Sequence, residues 1–196
     1  AVGAGNMYAF KGMLGVSEGI AQGNNVVEAL LKSNIADALK HKDETKSLAG
    51  LKGCKEMDPD DMVGYDCDIL LPSALENANT LKNVGKVKAK IIAELANGPT
   101  TPGADRVLAD EGCFLIPDIL ANAGGVTVSY YEWVQDQYSF FWSEGKVNDT
   151  LEQTINTAFK LAHETAERYN TDMRTGAYIL AVGRVAEATS LRGIFP

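Results

Sequence analysis

The chain is poor in basic residues, cysteine and histidine, and each scarcity narrows what it does. Lys and Arg total 18 against 26 Asp and Glu, a net charge of -8. No cluster of the basic residues forms the patch that a nucleic-acid interface requires, so nucleic acid is not expected as a partner. The acidic surplus favours solubility and says little more. Cysteine occurs three times, as Cys54, Cys67 and Cys113. The count is odd, the spacing is wide and no Cys-x-x-Cys occurs, which excludes a disulfide framework and predicts reduced thiols in the cytoplasm. The two histidines, His41 and His163, have no partner at metal-ligand spacing, so no metal site is expected. No apolar run approaches the roughly 20 residues of a membrane helix, and no signal-peptide pattern is present. Internal repeats and low-complexity tracts are lacking too.

What is there reads as short apolar runs alternating with amphipathic stretches. At 196 residues the chain has enough length to bury a core without disulfides or metal. Ala1 to Gly5 reads as the end of a strand running into a glycine turn, so the chain is expected to begin within a domain. Helical spacing predicts a helix over Val26–Lys42, and Asp58-Pro59-Asp60-Asp61 reads as a helix start. Asp68-Ile69-Leu70-Leu71-Pro72 is a buried strand that must end near its proline. Val87 to Ala93 is strand-like. Thr101 suits the cap and Pro102 the first position of a helix that Gly112 ends. Cys113 to Pro117 reads as another strand. Gly124-Gly125 leads into a further helix, followed by amphipathic helices over Asp149–Tyr169 and Asp172–Leu191. Strands alternating with helices imply a parallel sheet covered on both faces, with ligands at the carboxyl ends of its strands. The expected organisation is residues 1–148 as a nucleotide-binding domain and 149–196 as a helical segment packing back on it or towards another domain.

Two stretches carry the chemistry. Ala93-Glu94-Leu95-Ala96-Asn97-Gly98-Pro99-Thr100-Thr101-Pro102 and Ile116-Pro117-Asp118-Ile119-Leu120-Ala121-Asn122-Ala123-Gly124-Gly125 each pass from apolar residues to Asn and small residues, as a strand does where it delivers polar groups to a ligand. A primary amide both donates and accepts, which suits a carboxamide or sugar hydroxyls. The alternative is that Asn97 and Asn122 only cap turns. Gly3-Ala4-Gly5-Asn6 has the start of a dinucleotide fingerprint, where glycines let the backbone approach a pyrophosphate at a helix N-terminus. Tyr8 stands where the third glycine belongs. Glu18 is the one acid with strand-like neighbours that could meet a ribose, but it comes too early to leave room for a full helix and strand and reads rather as a solvated acid. Ser129 lies one turn inside its helix and either points a hydroxyl at a ligand or bonds back to a carbonyl. No His or Asp is placed to activate it as a nucleophile. Trp133, Trp142, Phe140 and Phe141 read as core or domain-packing groups.

With these residues in view, the sequence resembles the coenzyme-binding domain of the glutamate dehydrogenases. The similarity runs through Asp66–Asn77, Val87–Pro102, Ile116–Gln135 and the Asp172-Met173-Arg174-Thr175 start of the last helix. Leucine, valine and phenylalanine dehydrogenases share the Asn-Ala-Gly-Gly turn but not the Asn97–Pro102 run or the Thr127–Trp133 continuation. The resemblance implies a Rossmann-like α/β fold, a doubly wound, mostly parallel sheet with long C-terminal helices. It implies NAD or NADP as cofactor and L-glutamate and 2-oxoglutarate as substrates, interconverted with release of ammonia. It further implies that Gly3, Gly5 and Asn6 hold the pyrophosphate, that Ala74 lies against the cofactor, and that Asn97 and Asn122 face the nicotinamide riboside. Val126 and Ser129 would line the glutamate pocket. The complete enzyme would be a homo-oligomer, a hexamer.

Three departures qualify the resemblance. The family's separate domain with its catalytic Lys and Asp is not found in this sequence, so no catalytic residue is assigned here. The stretch from Gly5 to about Ala21 is shorter than in the family. Leu95 stands where the family usually has glycine. The expectation is therefore the cofactor-binding part of a glutamate dehydrogenase, inactive by itself. The alternative is a dinucleotide-binding module or fragment that catalyses nothing.

Overall fold

A computed structural model describes residues 40, 41, 43–46, 50, 61, 63–73 and 76–193. Gly3, Gly5, Asn6, Glu18, the helix expected over 26–42 for all but its end, and Ala74 lie outside these residues. The chain divides into two compact units, with a boundary between Phe114 and Leu115.

The unit up to Phe114 is built on short parallel pairing. Strand β1 (Ile69–Leu70) pairs in parallel with β2 (Ile91–Ala93), with Ile69 opposite Ile91 and Leu70 opposite Ile92. The runs are continuously apolar, as parallel strands covered on both faces must be: Leu70, Leu71, Ile92 and Ala93 are all buried. The strands are shorter than the apolar runs that encode them. Pro72 has no N–H for a ladder, and its carbonyl instead accepts from both Leu95 and Ala96 N–H. A 3-10 turn at Val84–Lys86 precedes β2. The sheet order is β1-β2-β3, with β3 at Phe114–Ile116; Phe114 N–H donates to the Lys90 carbonyl at 2.9 Å.

Helix α1 (Pro102–Asp110) starts where its sequence says, with Thr101 at the cap position and Pro102 in the first turn. The expected cap bond is absent, however. The Thr101 hydroxyl donates to the Asn79 carbonyl at 3.3 Å, because Thr101 is already engaged with the chain beside it. Gly112, at φ +76°, follows the end of α1 in the left-handed conformation that glycine adopts without strain.

The unit from Leu115 onward is helical beyond β3. It contains α2 (Asp118–Ala121), α3 (Ala123–Tyr138), α4 (Glu144–Tyr169) and α5 (Met173–Arg192). Helix α4 begins five residues earlier than its amphipathic pattern suggested, because the Ser143 hydroxyl accepts from Lys146 N–H and caps it. Its Leu151, Ile155, Ala162 and Ala166 are buried. Asp172 caps α5 through Thr175 N–H at 2.8 Å. Helices α4 and α5 approach so closely that a Cβ on Gly176 would lie 2.8 Å from Ala166 Cα. The Tyr131 hydroxyl joins α3 to α4, 2.7 Å from Thr154 Oγ1.

Candidate functional site

The turn after β2 is held by its backbone. Asn77 N–H donates to the Gly98 carbonyl at 2.9 Å, Asn79 N–H to Pro99 at 2.8 Å, and Thr101 N–H to Asn79 at 3.0 Å. Asn79 and Thr100 thereby form an isolated parallel bridge. Inside it the Asn79 amide donates to Thr100 Oγ1 at 3.0 Å. Asn83 braces the neighbouring bend: its amide nitrogen donates to the Ala78 carbonyl and its oxygen accepts from Thr80 N–H, both at 2.8 Å. Gly98 takes φ +57°, with open space where a Cβ would sit. That conformation explains the Asn-Gly pair, since a non-glycine residue there strains the backbone. The outcome is a fixed turn whose outer residue, Asn97, is exposed while Pro99 and Thr100 are buried. Leu95 is half-buried, and its N–H is bound to Pro72.

The segment after β3 is built differently. Asn122 does not follow a strand directly, as the apolar run Ile116–Ala121 suggested. Pro117 ends the ladder, and its carbonyl accepts from Leu120 and Ala121 N–H to start α2. Asn122 closes α2 and opens α3 at φ -102°, ψ 5°. Its N–H donates to the Asp118 carbonyl at 3.0 Å, and the residue is half-buried. Gly124 and Gly125, in the first turn of α3, are buried. Val126 and Ser129 lie three residues apart, on one helix face. Both are exposed, Val126 at 71%.

Asp118 is a structural acid. Its carboxylate accepts from Ile119 N–H at 2.8 Å and lies 3.4 Å from Arg174 Nη1, with only 17% of its side chain exposed. The pair ties the start of α5 to α2, and so to the chain that carries Asn122. Sequence reading missed this pairing, as it missed Asn79 and Asn83. The Asn77-Ala78-Asn79-Thr80 cluster of turn-forming residues was the available signal for the latter two.

The aromatic residues behave unevenly. Trp142 is half-buried, with its ring 5.5 Å from that of Tyr131. Trp133, Phe140 and Phe141 are 56%, 70% and 72% exposed. Trp133 faces outward from α3, which buries Tyr131 instead, and Phe140 and Phe141 follow the helix end, so none of the three is a core residue of this chain.

Both described cysteines have their thiol pKa raised by their surroundings. Burial, with Glu111 adding its charge, pushes the Cys113 thiol up to about 11. Burial and then Asp68 and Asp66 raise that of Cys67. Among the described residues no group of three or more His, Cys, Asp or Glu could hold a metal ion. None of their helices is long and apolar enough to cross a membrane.

This arrangement has known counterparts. The sequence profile of the Glutamate/Leucine/Phenylalanine/Valine dehydrogenase family matches residues 7–193. The chain belongs to this family. It is 47% identical over 163 residues to the glutamate dehydrogenase of Thermotoga maritima, covering 83% of this chain and 39% of that protein. It is 49% identical over 128 residues to an NAD-specific glutamate dehydrogenase of Staphylococcus aureus, covering 65% of this chain and 31% of the relative. Among solved structures, the hetero-hexameric glutamate dehydrogenase of Thermus thermophilus superposes with a TM-score of 0.84 at 28% identity, over 100% of this chain and 54% of that one. The chain therefore spans a third to a half of the length of the proteins it matches. The α/β fold with parallel strand pairing expected from the sequence is the observed one.

Proposed function

We propose that the chain is the cofactor-binding part of an NAD(P)-dependent glutamate dehydrogenase. That enzyme would oxidise L-glutamate to 2-oxoglutarate and ammonia, reversibly. The observation that supports this most is the Asn97 turn. It lies within the sequence that resembles glutamate dehydrogenases more than their leucine, valine and phenylalanine relatives, and backbone bonds on either side of exposed Asn97 fix the turn that carries it. A rigid, exposed amide beside a strand end fits a nicotinamide riboside, whose carboxamide and hydroxyls need both a donor and an acceptor.

The nicotinamide cofactor would accept the hydride from glutamate. The chain's own residues would bind and orient. Asn97 and Asn122 would hydrogen-bond the nicotinamide riboside. Gly3, Gly5 and Asn6 would meet the pyrophosphate, and Ala74 would lie against the cofactor. Val126 would shield one side of the glutamate chain from water, and Ser129 would donate its hydroxyl to the side-chain carboxylate. An exposed valine one turn from an exposed serine suits a surface that a substrate covers. Hydride transfer needs the reacting carbons held about 3–3.5 Å apart. The proton chemistry needs a general base, which the proposal places in a substrate domain like the family's, not on Asp118.

The S. aureus relative is named NAD-specific, which supports NAD as the cofactor, with NADP the alternative. A hexameric assembly and a cytoplasmic location complete the proposal. The test combines the chain with the substrate domain of a family member and measures NADH or NADPH formed on adding glutamate. Glutamate-dependent reduction supports the reading. A folded complex that binds cofactor without turnover favours a non-catalytic dinucleotide module instead.

A further inference from the structure

Asn79 is a fully buried asparagine at 0% exposure, and only half of its amide is used. The nitrogen donates to Thr100 Oγ1. The oxygen has no hydrogen-bond partner. A buried acceptor left unpaired is destabilising, and such groups are few in folded proteins. A leucine of similar size at this position, facing a valine in place of Thr100, would remove the penalty. The polar pair sits inside the bridge that holds the turn presenting Asn97, with Asn79 N–H on Pro99 and the Asn79 carbonyl accepting from Thr101. Backbone bonds alone tolerate a slip along the chain. A buried side-chain bond between residues 79 and 100 allows one register only.

We infer that Asn79 is a positioning residue for cofactor binding: its buried amide bond to Thr100 fixes the register of the 97–100 turn, and through it the direction of the Asn97 amide, at the expense of stability. This rests on the cofactor reading of Asn97 given above.

The experiment uses the full chain and NADH as probe. Cofactor affinity, melting temperature and amide hydrogen exchange at Asn97 and Gly98 are measured in Thr100→Val, Thr100→Ser and the double variant Asn79→Leu/Thr100→Val. Thr100→Ser keeps the hydroxyl and is expected to match wild type in affinity. The double variant is expected to melt at or above the wild-type temperature, yet to bind NADH roughly fivefold or more weakly and to exchange faster at both amides. A purely structural role predicts the reverse pairing, with affinity and exchange unchanged wherever the fold is intact. If the double variant does not fold, the contrast of Thr100→Val with Thr100→Ser decides. Equal affinity in those two overturns the inference, and loss in Thr100→Val alone sustains it. A wild-type chain that binds no NADH overturns the cofactor reading and this role together, whereas wild-type binding that survives in the double variant overturns only the role of Asn79.

Discussion

The turn at 95–101 and the segment at 117–126 both bring an asparagine past the end of a strand, but they are secured by different physics. The first is sewn by backbone hydrogen bonds to residues 72–79. The second is a helix that stops and restarts at Asn122, secured by side chains, with the Asp118–Arg174 ion pair reaching to the start of α5. The backbone fastenings of the first, with the Asn79–Thr100 side-chain bond that sets their register, come from residues close by in sequence. Side-chain fastening depends on one distant helix keeping its place. The second segment is therefore the more vulnerable to substitutions far away in sequence.

The largest expected effect uses that dependence. Gly176→Ala would put a methyl group 2.7 Å from Ala166 Cβ and 2.8 Å from its backbone nitrogen, forcing α5 off α4. A loss of about 3 kcal/mol is expected in urea or thermal unfolding. Arg174, two residues earlier, would shift with it, so the Asn122 amide should exchange faster while exchange at Asn97 is unchanged. Equal loosening of both segments would break the comparison.

Next in size is Arg174→Met, which leaves Asp118 with its charge and without the guanidinium. Hydrogen bonds to charged groups contribute about 1.5–3 kcal/mol, and both side chains are mostly buried, so a loss of about 2 kcal/mol is expected. The double variant Arg174→Met/Asp118→Leu should recover part of it, read as a coupling energy in a double-mutant cycle.

Gly98→Ala probes the first segment. Nothing lies within 4 Å of the added methyl, so the penalty is that of a left-handed non-glycine residue alone, about 1–2 kcal/mol. The bonds from Asn77 and Asn79 should keep the turn in place, and the melting temperature should fall without a change in the exchange of the Asn122 amide.

The smallest effect concerns the cap of α5. Burial acts to raise the Asp172 carboxyl, but hydrogen bonds from the N–H and hydroxyl of Thr175, from its own N–H and from the Thr171 hydroxyl together outweigh it and hold the pKa below the ordinary value. A carboxylate depressed in the folded state contributes stability above its unfolded pKa and loses it as pH falls through the folded value. Asp172→Ala should therefore cost about 1 kcal/mol at pH 7. The part of that gap due to the charge should vanish as acid takes the pH from about 4 downward. A gap independent of pH would show that the carboxylate's charge contributes nothing.

The sequence made the fold legible wherever a local rule decided it. Pro72 ended β1, Pro102 opened α1, Gly112 followed its end, and the period of Leu151 and Ile155 marked α4. It failed where distant residues decided. Nothing local distinguishes Asp118 as Arg174's partner, since 56 residues separate them. The Thr101 hydroxyl lost its capping role to a carbonyl 22 residues away. The short helix between the strand read at Cys113–Pro117 and Asn122 went unread, because four residues carry no period. Of the site, the Asn97 turn was visible as Asn-Gly-Pro, while the support beneath it at Asn79 depends on a bridge that no spacing reveals.

The most direct measurement is a calorimetric titration of the chain with NADH and with NADPH, repeated on Asn97→Ala. The account predicts saturable binding of at least one nucleotide by wild type, weakened about tenfold in the variant at an unchanged melting temperature. No binding at millimolar nucleotide, or identical affinities in the two proteins, would contradict it.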